Sequence, residues 1–263
     1  MRLRPVLAAS IAVMLLICGP VEGRASTPDV QRIIERSVEA NQRDFQAGTQ
    51  FSHTERDRTG TGSKTYRVLM IDGSPYQQLI AVNGTPLSPE AARAEASKME
   101  RARSERKAES SDERKRRIAK YESDRHRNNA MMQQLTKAFD FTLVGEGKLN
   151  SFKVYILRAR PRKGYQPPNL ETQVLPAMQG MLWIDQASYQ WVKVTARVIR
   201  PASIEGFLAQ VEPGTQFELE KMPVGNGVWQ PKHFSMKSQA KVLYMFTHNS
   251  QEDDVFSDYQ RAN

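Results

Sequence analysis

Between residues 191 and 198 the side chains alternate without a break, with Val192, Val194, Ala196 and Val198 on one parity and Trp191, Lys193, Thr195 and Arg197 on the other. A strand built this way buries one face and wets the other, which is the habit of an antiparallel sheet and not of a parallel sheet buried on both faces. The same two-residue period runs through Phe141 to Glu146, Phe152 to Ala159, Met178 to Asp185, Tyr189 to Ile199, Gln216 to Lys221, Val228 to Met236 and Lys241 to Thr247. Turn residues separate these runs, among them Gly145-Glu146-Gly147, Asp185 to Ser188, Pro213-Gly214 and Gly225-Asn226-Gly227. Further upstream Tyr66, Val68 and Met70 alternate with Arg67, Leu69 and Ile71, Asp72-Gly73 turns the chain, and Tyr76 to Val82 returns before Asn83-Gly84. Asn83-Gly84-Thr85 also matches a glycosylation sequon, and the hairpin-turn reading takes precedence. About ten strands joined mostly by hairpins must curl into a barrel, closed or partial, or split in two.

Two segments break this period. Val30, Ile33, Ile34, Val38 and Phe45 recur at helical spacing after Thr27-Pro28-Asp29, which predicts an amphipathic helix over about 28–46 with a capped start. Residues 88–138 begin at Ser88-Pro89 and then contain no glycine and no further proline, in a stretch rich in Ala, Glu, Arg, Lys and Gln. Between Arg93 and Arg127 stand 13 Lys+Arg and 8 Asp+Glu, a net +5 that is more than half of the chain's formal +9. Opposite charges four apart, such as Asp112 with Arg116 and Lys120 with Asp124, suit a solvated helix. An apolar stripe emerges only at Ile118, Tyr121, Met131, Met132, Leu135 and Phe139, so the first part is solvated and the last part docks. Ser110 with Glu113 fits a capping box, leaving either one long arm or a helical hairpin. The arm is an insertion between two runs of one sheet, so residues 26–263 read as a single α+β domain.

At the front, Arg2 and Arg4 precede an apolar run from Val6 to Ile17, then Gly19-Pro20 and small residues at Gly23 and Ala25. This is the order of a secretory signal peptide over residues 1–25, with an apolar run shorter than a bilayer-spanning helix needs. Cleavage there removes Cys18, the single cysteine of the 263 residues, and leaves a thiol-free chain suited to an oxidising compartment such as the periplasm.

Phosphate loops, dinucleotide fingerprints, G-x-S-x-G and H-E-x-x-H are absent from the sequence. His53, His126, His233 and His248 share no metal-ligand spacing, so neither a metal nor another cofactor is expected. Asp185, Glu205, Glu212 and Asp258 read as turn or surface carboxylates, and no enzymatic activity is expected. The basic segment is interleaved with acids and sits in an exported chain, so nucleic acid is not the expected partner, and an anionic membrane surface fits it better.

The segment Gly180-Met181-Leu182-Trp183-Ile184-Asp185, a short turn, and Tyr189-Gln190-Trp191-Val192-Lys193-Val194 resembles the periplasmic lipoprotein-sorting family of LolA/LolB-like carriers. Tyr155 to Pro161 and Gly227-Val228-Trp229-Gln230-Pro231 extend the resemblance over about 140–258. It implies a strongly curved, incompletely closed antiparallel sheet covered by helices, with acyl chains held in the apolar space between them. The insertion at 88–138 has no typical counterpart in those carriers. On this reading the alternating apolar residues Val68, Met70, Leu182, Ile184, Val192, Val194, Phe217 and Leu219 line a hollow or fill a core, and Met131, Met132 and Phe139 form an adaptable lid or dock the arm. The expected ligand is a lipid or an acylated lipoprotein, held by apolar burial worth about 0.8 kcal/mol per methylene. The alternative is a structural or interaction protein of the cell envelope that works through the charged arm.

Overall fold

A computed structural model describes residues 29–204, 209–242 and 246–262, apart from the side chains at 128, 131, 204, 209, 242 and 246–248. The signal-peptide segment, Cys18, Glu205 and the side chains of Met131 and His248 lie outside the described residues.

Helix α1 spans Val30–Ala47 and is capped by Asp29, whose carboxylate accepts from the Gln31 and Arg32 amides at 3.0 and 3.4 Å. Asp29 is therefore the residue that supplies the expected capped start, one position before the first turn. Ile33 and Ile34 bury the apolar face of this helix, as the spacing predicts.

The strands are β1 (Phe51–Thr59), β2 (Gly62–Ile71), β3 (Ser74–Val82), β4 (Thr85–Pro86), β5 (Phe139–Leu149), β6 (Phe152–Pro161), β7 (Met178–Asp185), β8 (Trp191–Val198), β9 (Ala202–Ile204), β10 (Ala209–Val211), β11 (Gln216–Gly225), β12 (Val228–Val242) and β13 (Phe246–Arg261). All join one antiparallel sheet whose main path runs β4-β3-β2-β1-β13-β12-β11-β8-β7-β6-β5, with β9 and β10 on a side branch from β12. The path ends at β4 and β5 with neither edge paired, so the barrel is incomplete. The run Lys241 to Thr247, expected as one strand, falls instead on the end of β12 and the start of β13, and the rest of β13 to Arg261 is not expected from the sequence because its run from Gln251 to Asp254 is polar on both parities. Strand β13 pairs with β1 and thereby stitches the N-terminal meander to the C-terminal strands.

Tight turns behave as their residues demand. Asp72 and Gly73 have φ of 45° and 88°, and both lie in the left-handed region that a two-residue type I′ hairpin requires.

The insertion is two helices, α2 (Pro89–Ala108) and α3 (Ser111–Ala138), broken at Glu109-Ser110. Ser110 accepts from the Glu113 amide at 3.3 Å, and the Glu113 carboxylate accepts from the Ser110 amide at 2.8 Å, completing the capping box. The elbow grips the β2–β3 turn. From α2, Arg106 donates to the carbonyls of Ile71, Ser74 and Pro75 at 2.8 to 3.1 Å, and from α3, Arg117 donates to Ser74 Oγ at 2.7 Å and to Asp72 O at 3.2 Å. Arg117 also forms a two-pronged ion pair with Glu109, at 2.6 and 2.7 Å.

Candidate functional site

The helices cover one face of the sheet. Ile33 and Ile34 of α1, Ala138 and Phe139 at the end of α3, and Leu157, Leu182, Val194 and Val198 of the sheet form the main core cluster. Between α3 and β6–β8, β11 and β12 this packing leaves an apolar cavity of about 240 Å³. Met132 and Leu135 hang over it from α3, Leu175 closes one side, and Leu182, Val194, Phe217 and Leu219 make its floor.

Six of the residues expected from sequence thus meet here: Leu182, Val194, Phe217, Leu219, Met132 and Phe139. The other described ones lie elsewhere. Val68 and Met70 sit on β2, on the far side of β1 and β13 from the cavity strands, and Ile184 is fully buried in the core cluster. Val192 faces the opposite side of the sheet, in a second cluster with Val154 and Trp229. The cause is a register shift: Trp183 pairs with Lys193 but Ile184 pairs with Trp191, so Val192 is an extra residue in a β-bulge and the alternation slips there. Trp191, expected on the wet face, is consequently buried in the core. Its indole Nε1–H donates to Ser37 Oγ on α1 at 2.5 Å. Leu175 and Phe234 also line the cavity: Leu175 lies outside every periodic run, and Phe234 lies in the Val228 to Met236 run, whose pairing opposite Leu219 only the structure shows.

Polar joints hold the helices over the cavity. Lys221 Nζ of β11 pairs with Asp44 Oδ2 of α1 at 2.6 Å and donates to Asn41 Oδ1 at 2.8 Å, with both charged side chains buried. Asp44 Oδ1 accepts in addition from Trp229 N at 3.0 Å and Gln190 Nε2 at 3.1 Å. Burial pushes the Lys221 ammonium below its ordinary pKa, against the pull of the Asp44 charge. Arg125 pins α3 to α1: its guanidinium lies 4.3 Å over the Phe45 ring, donates to the Phe45 carbonyl and pairs with Glu122 at 2.7 Å. The roof is thus fixed at Arg125 and at Phe139, and the unbranched Met132 lies between these anchors.

Among the described residues no three His, Cys, Asp or Glu side chains come together as metal ligands. His126 packs against Phe45 with ring centroids 5.3 Å apart, and His233 bonds Asp253 at 3.0 Å.

The fold and cavity define an α+β protein with an open antiparallel sheet and a small apolar chamber under a helical roof. No known family profile and no curated protein matches the chain. Among solved structures it is similar to a LolA superfamily protein from Nitrosomonas europaea (10% identity over 90% of this chain and 95% of that one, TM-score 0.34). It is also similar to a domain described as outer membrane lipoprotein-sorting from Vibrio parahaemolyticus (12% identity, 87% and 93% covered, TM-score 0.33). A third, MucB in complex with periplasmic MucA, covers 89% of this chain at 11% identity, with a TM-score of 0.26.

Proposed function

We propose that the chain is a non-enzymatic carrier of the cell envelope that holds an apolar chain of a lipid, or the acyl chain of a lipoprotein, between α3 and the sheet. The observation that carries this reading is the apolar cavity under Met132 and Leu135, with Leu182, Val194, Phe217 and Leu219 as its floor. Its 240 Å³ is below the roughly 300–1,000 Å³ of drug-sized ligand sites. The chamber, which is partly open to solvent, therefore takes part of one chain, and a longer one enters by displacing α3 between its two anchors. The driving force is apolar burial, about 0.8 kcal/mol per methylene.

The test is uptake of a fluorescent fatty acid by the protein lacking residues 1–25, alongside native mass spectrometry with organic extraction. Val194→Phe and Leu219→Phe fill the chamber and abolish uptake while the circular dichroism spectrum stays that of the wild type. A folded, filled variant that still takes up the probe sinks the reading.

A second reading is supported by α2, on which Arg93, Lys98, Arg101, Arg103 and Lys107 are all exposed. These cations are spread around the helix, and those turned to an anionic lipid surface at one time gain about 1 kcal/mol each near it. Binding to phosphatidylglycerol vesicles that weakens with salt and disappears on charge reversal of α2, with fatty-acid uptake absent, favours it over the carrier.

A further inference from the structure

On the face of the sheet away from the helices, five residues are successive cross-strand partners. Gln179 pairs with Arg197, Arg197 with Gln216, Gln216 with Lys237, and Lys237 with Gln251. Directly paired residues share a face and their chain neighbours point the other way. Met178, Val198 and Phe217, which flank the row, belong to the core side. The row, joined by Arg158 and Arg160 of β6, lines a groove of about 820 Å³.

The spacing is regular. Neighbouring strands lie about 4.8 Å apart, so Arg197 and Lys237, separated by one strand, stand about 10 Å apart with the Gln216 amide between them. Among the described residues Arg158, Arg160, Arg197 and Lys237 take part in no ion pair. Of the three acids that border the groove, Glu218 is engaged by Lys193 at 2.6 Å and Asp253 by His233 at 3.0 Å, while Glu252, paired with Met236, has the opposite parity to the row. Gln179, with its carboxamide oxygen turned to Arg197, accepts from Nη2 at 2.5 Å and Nε at 2.7 Å and so orients the guanidinium.

We propose that this row binds an extended acidic oligosaccharide lying across the strands, with carboxylates on the cations and hydroxyls on the glutamines. Guanidinium and ammonium groups recognise carboxylates through charge-assisted hydrogen bonds, the former in a bidentate fork. A primary amide offers two donors and an acceptor, which matches a hydroxyl that does both. Cations alternating with amides along one line therefore fit a chain that repeats its charges and hydroxyls. A flat membrane does not enter a groove, and an isolated phosphate has no use for a row five strands wide. The row stands on the opposite face from the chamber floor, and although Gln179, Gly180, Thr195, Ala196 and Phe217 border both spaces, Arg197 and Lys237 border only the groove, so substitutions there test it separately.

The experiment is isothermal titration calorimetry of the protein lacking residues 1–25 with hexagalacturonate, with maltohexaose as a neutral chain of equal length and pyrophosphate as a compact anion. Binding of hexagalacturonate alone is expected. Arg197→Gln and Lys237→Gln each weaken it about tenfold, the worth of one charge-assisted hydrogen bond. Melting temperature and fatty-acid uptake stay unchanged in both variants, and Arg101→Gln on α2 has no effect. Absence of hexagalacturonate binding, equal binding of maltohexaose or pyrophosphate, or indifference to the row substitutions overturns the proposal.

Discussion

Asp57 on β1 and Asp254 on β13 stand directly opposite each other in the antiparallel ladder, and the Oδ1 atom of each is buried without a protein hydrogen-bond partner. Asp254 is only 6% exposed. Glu55 and Glu252 lie two residues away on the same face, so four carboxylates crowd the seam that joins the N-terminal meander to the rest of the sheet. Burial first, and then the neighbouring Glu252, Asp57 and Glu55 charges, push Asp254 up to about 7. Burial and the Asp57 charge push Glu55 to about 6. His53 on the same strand is pushed down to about 4 by burial.

These shifts act on stability with opposite signs. Between pH 4 and 7 folded Asp254 holds more proton than the unfolded carboxyl does, so its contribution falls as pH rises through that window and is fully lost above about 7. His53 binds less proton folded than unfolded, so its contribution rises between about pH 4 and 6.5 and is constant beyond. Asp254→Asn isolates the acid: its melting temperature relative to wild type climbs steadily from pH 4 to pH 7 and then levels. Melting curves that run parallel across that range refute the account.

The buried Lys221–Asp44 pair is costly to break from one side. Asp44→Ala leaves an ammonium and the Trp229 amide without their acceptor, and urea unfolding should show a loss of about 3–5 kcal/mol. The double change Asp44→Leu with Lys221→Met removes both charges and should be distinctly milder than the single one. A double variant as unstable as Asp44→Ala would show that the pair's charges are not the issue.

Arg106 and Arg117 are the contacts through which the elbow of the insertion holds the β2–β3 turn. Replacing both by alanine should free the elbow, so that proteolysis at Lys107 speeds up at least tenfold while the far-UV spectrum of the sheet is retained. Cleavage at the wild-type rate would mean that other contacts, such as Ile118 against Gly73, hold the arm.

Gly180 on β7 has no room for a side chain: a Cβ placed there would lie 2.5 Å from the Thr195 carbonyl oxygen on β8. Gly180→Ala should cost about 1–3 kcal/mol, the usual penalty of overpacking, and thermal melting measures it. A neutral effect would indicate that β7 and β8 part easily at this point.

Local periodicity made much of this legible. The amphipathic face of α1, the capping box at Ser110 and Glu113, the Asp72-Gly73 hairpin and the exact bounds of Met178–Asp185 are all properties of short stretches, because caps, turns and strand alternation involve residues within a few positions of each other. The bulge at Val192 is not such a property. It arises where β8 must keep register with β7, and it turns Val192 into the second buried cluster on the other face and Trp191 into the main core, reversing the parity that the sequence displays.

What the sequence by itself determined is the class of the protein: an antiparallel sheet, a capped N-terminal helix and a charged helical insertion, since each follows from a period and its punctuation, whereas the break of the insertion into two helices at Glu109-Ser110 was settled by the structure. Only the tertiary structure decided that β13 joins β1, that Asp44 meets Lys221 177 residues away, and that four floor residues and two roof residues share one chamber. Contacts across such separations are set by sheet order and register, which depend on the whole set of pairings and leave no local pattern to read.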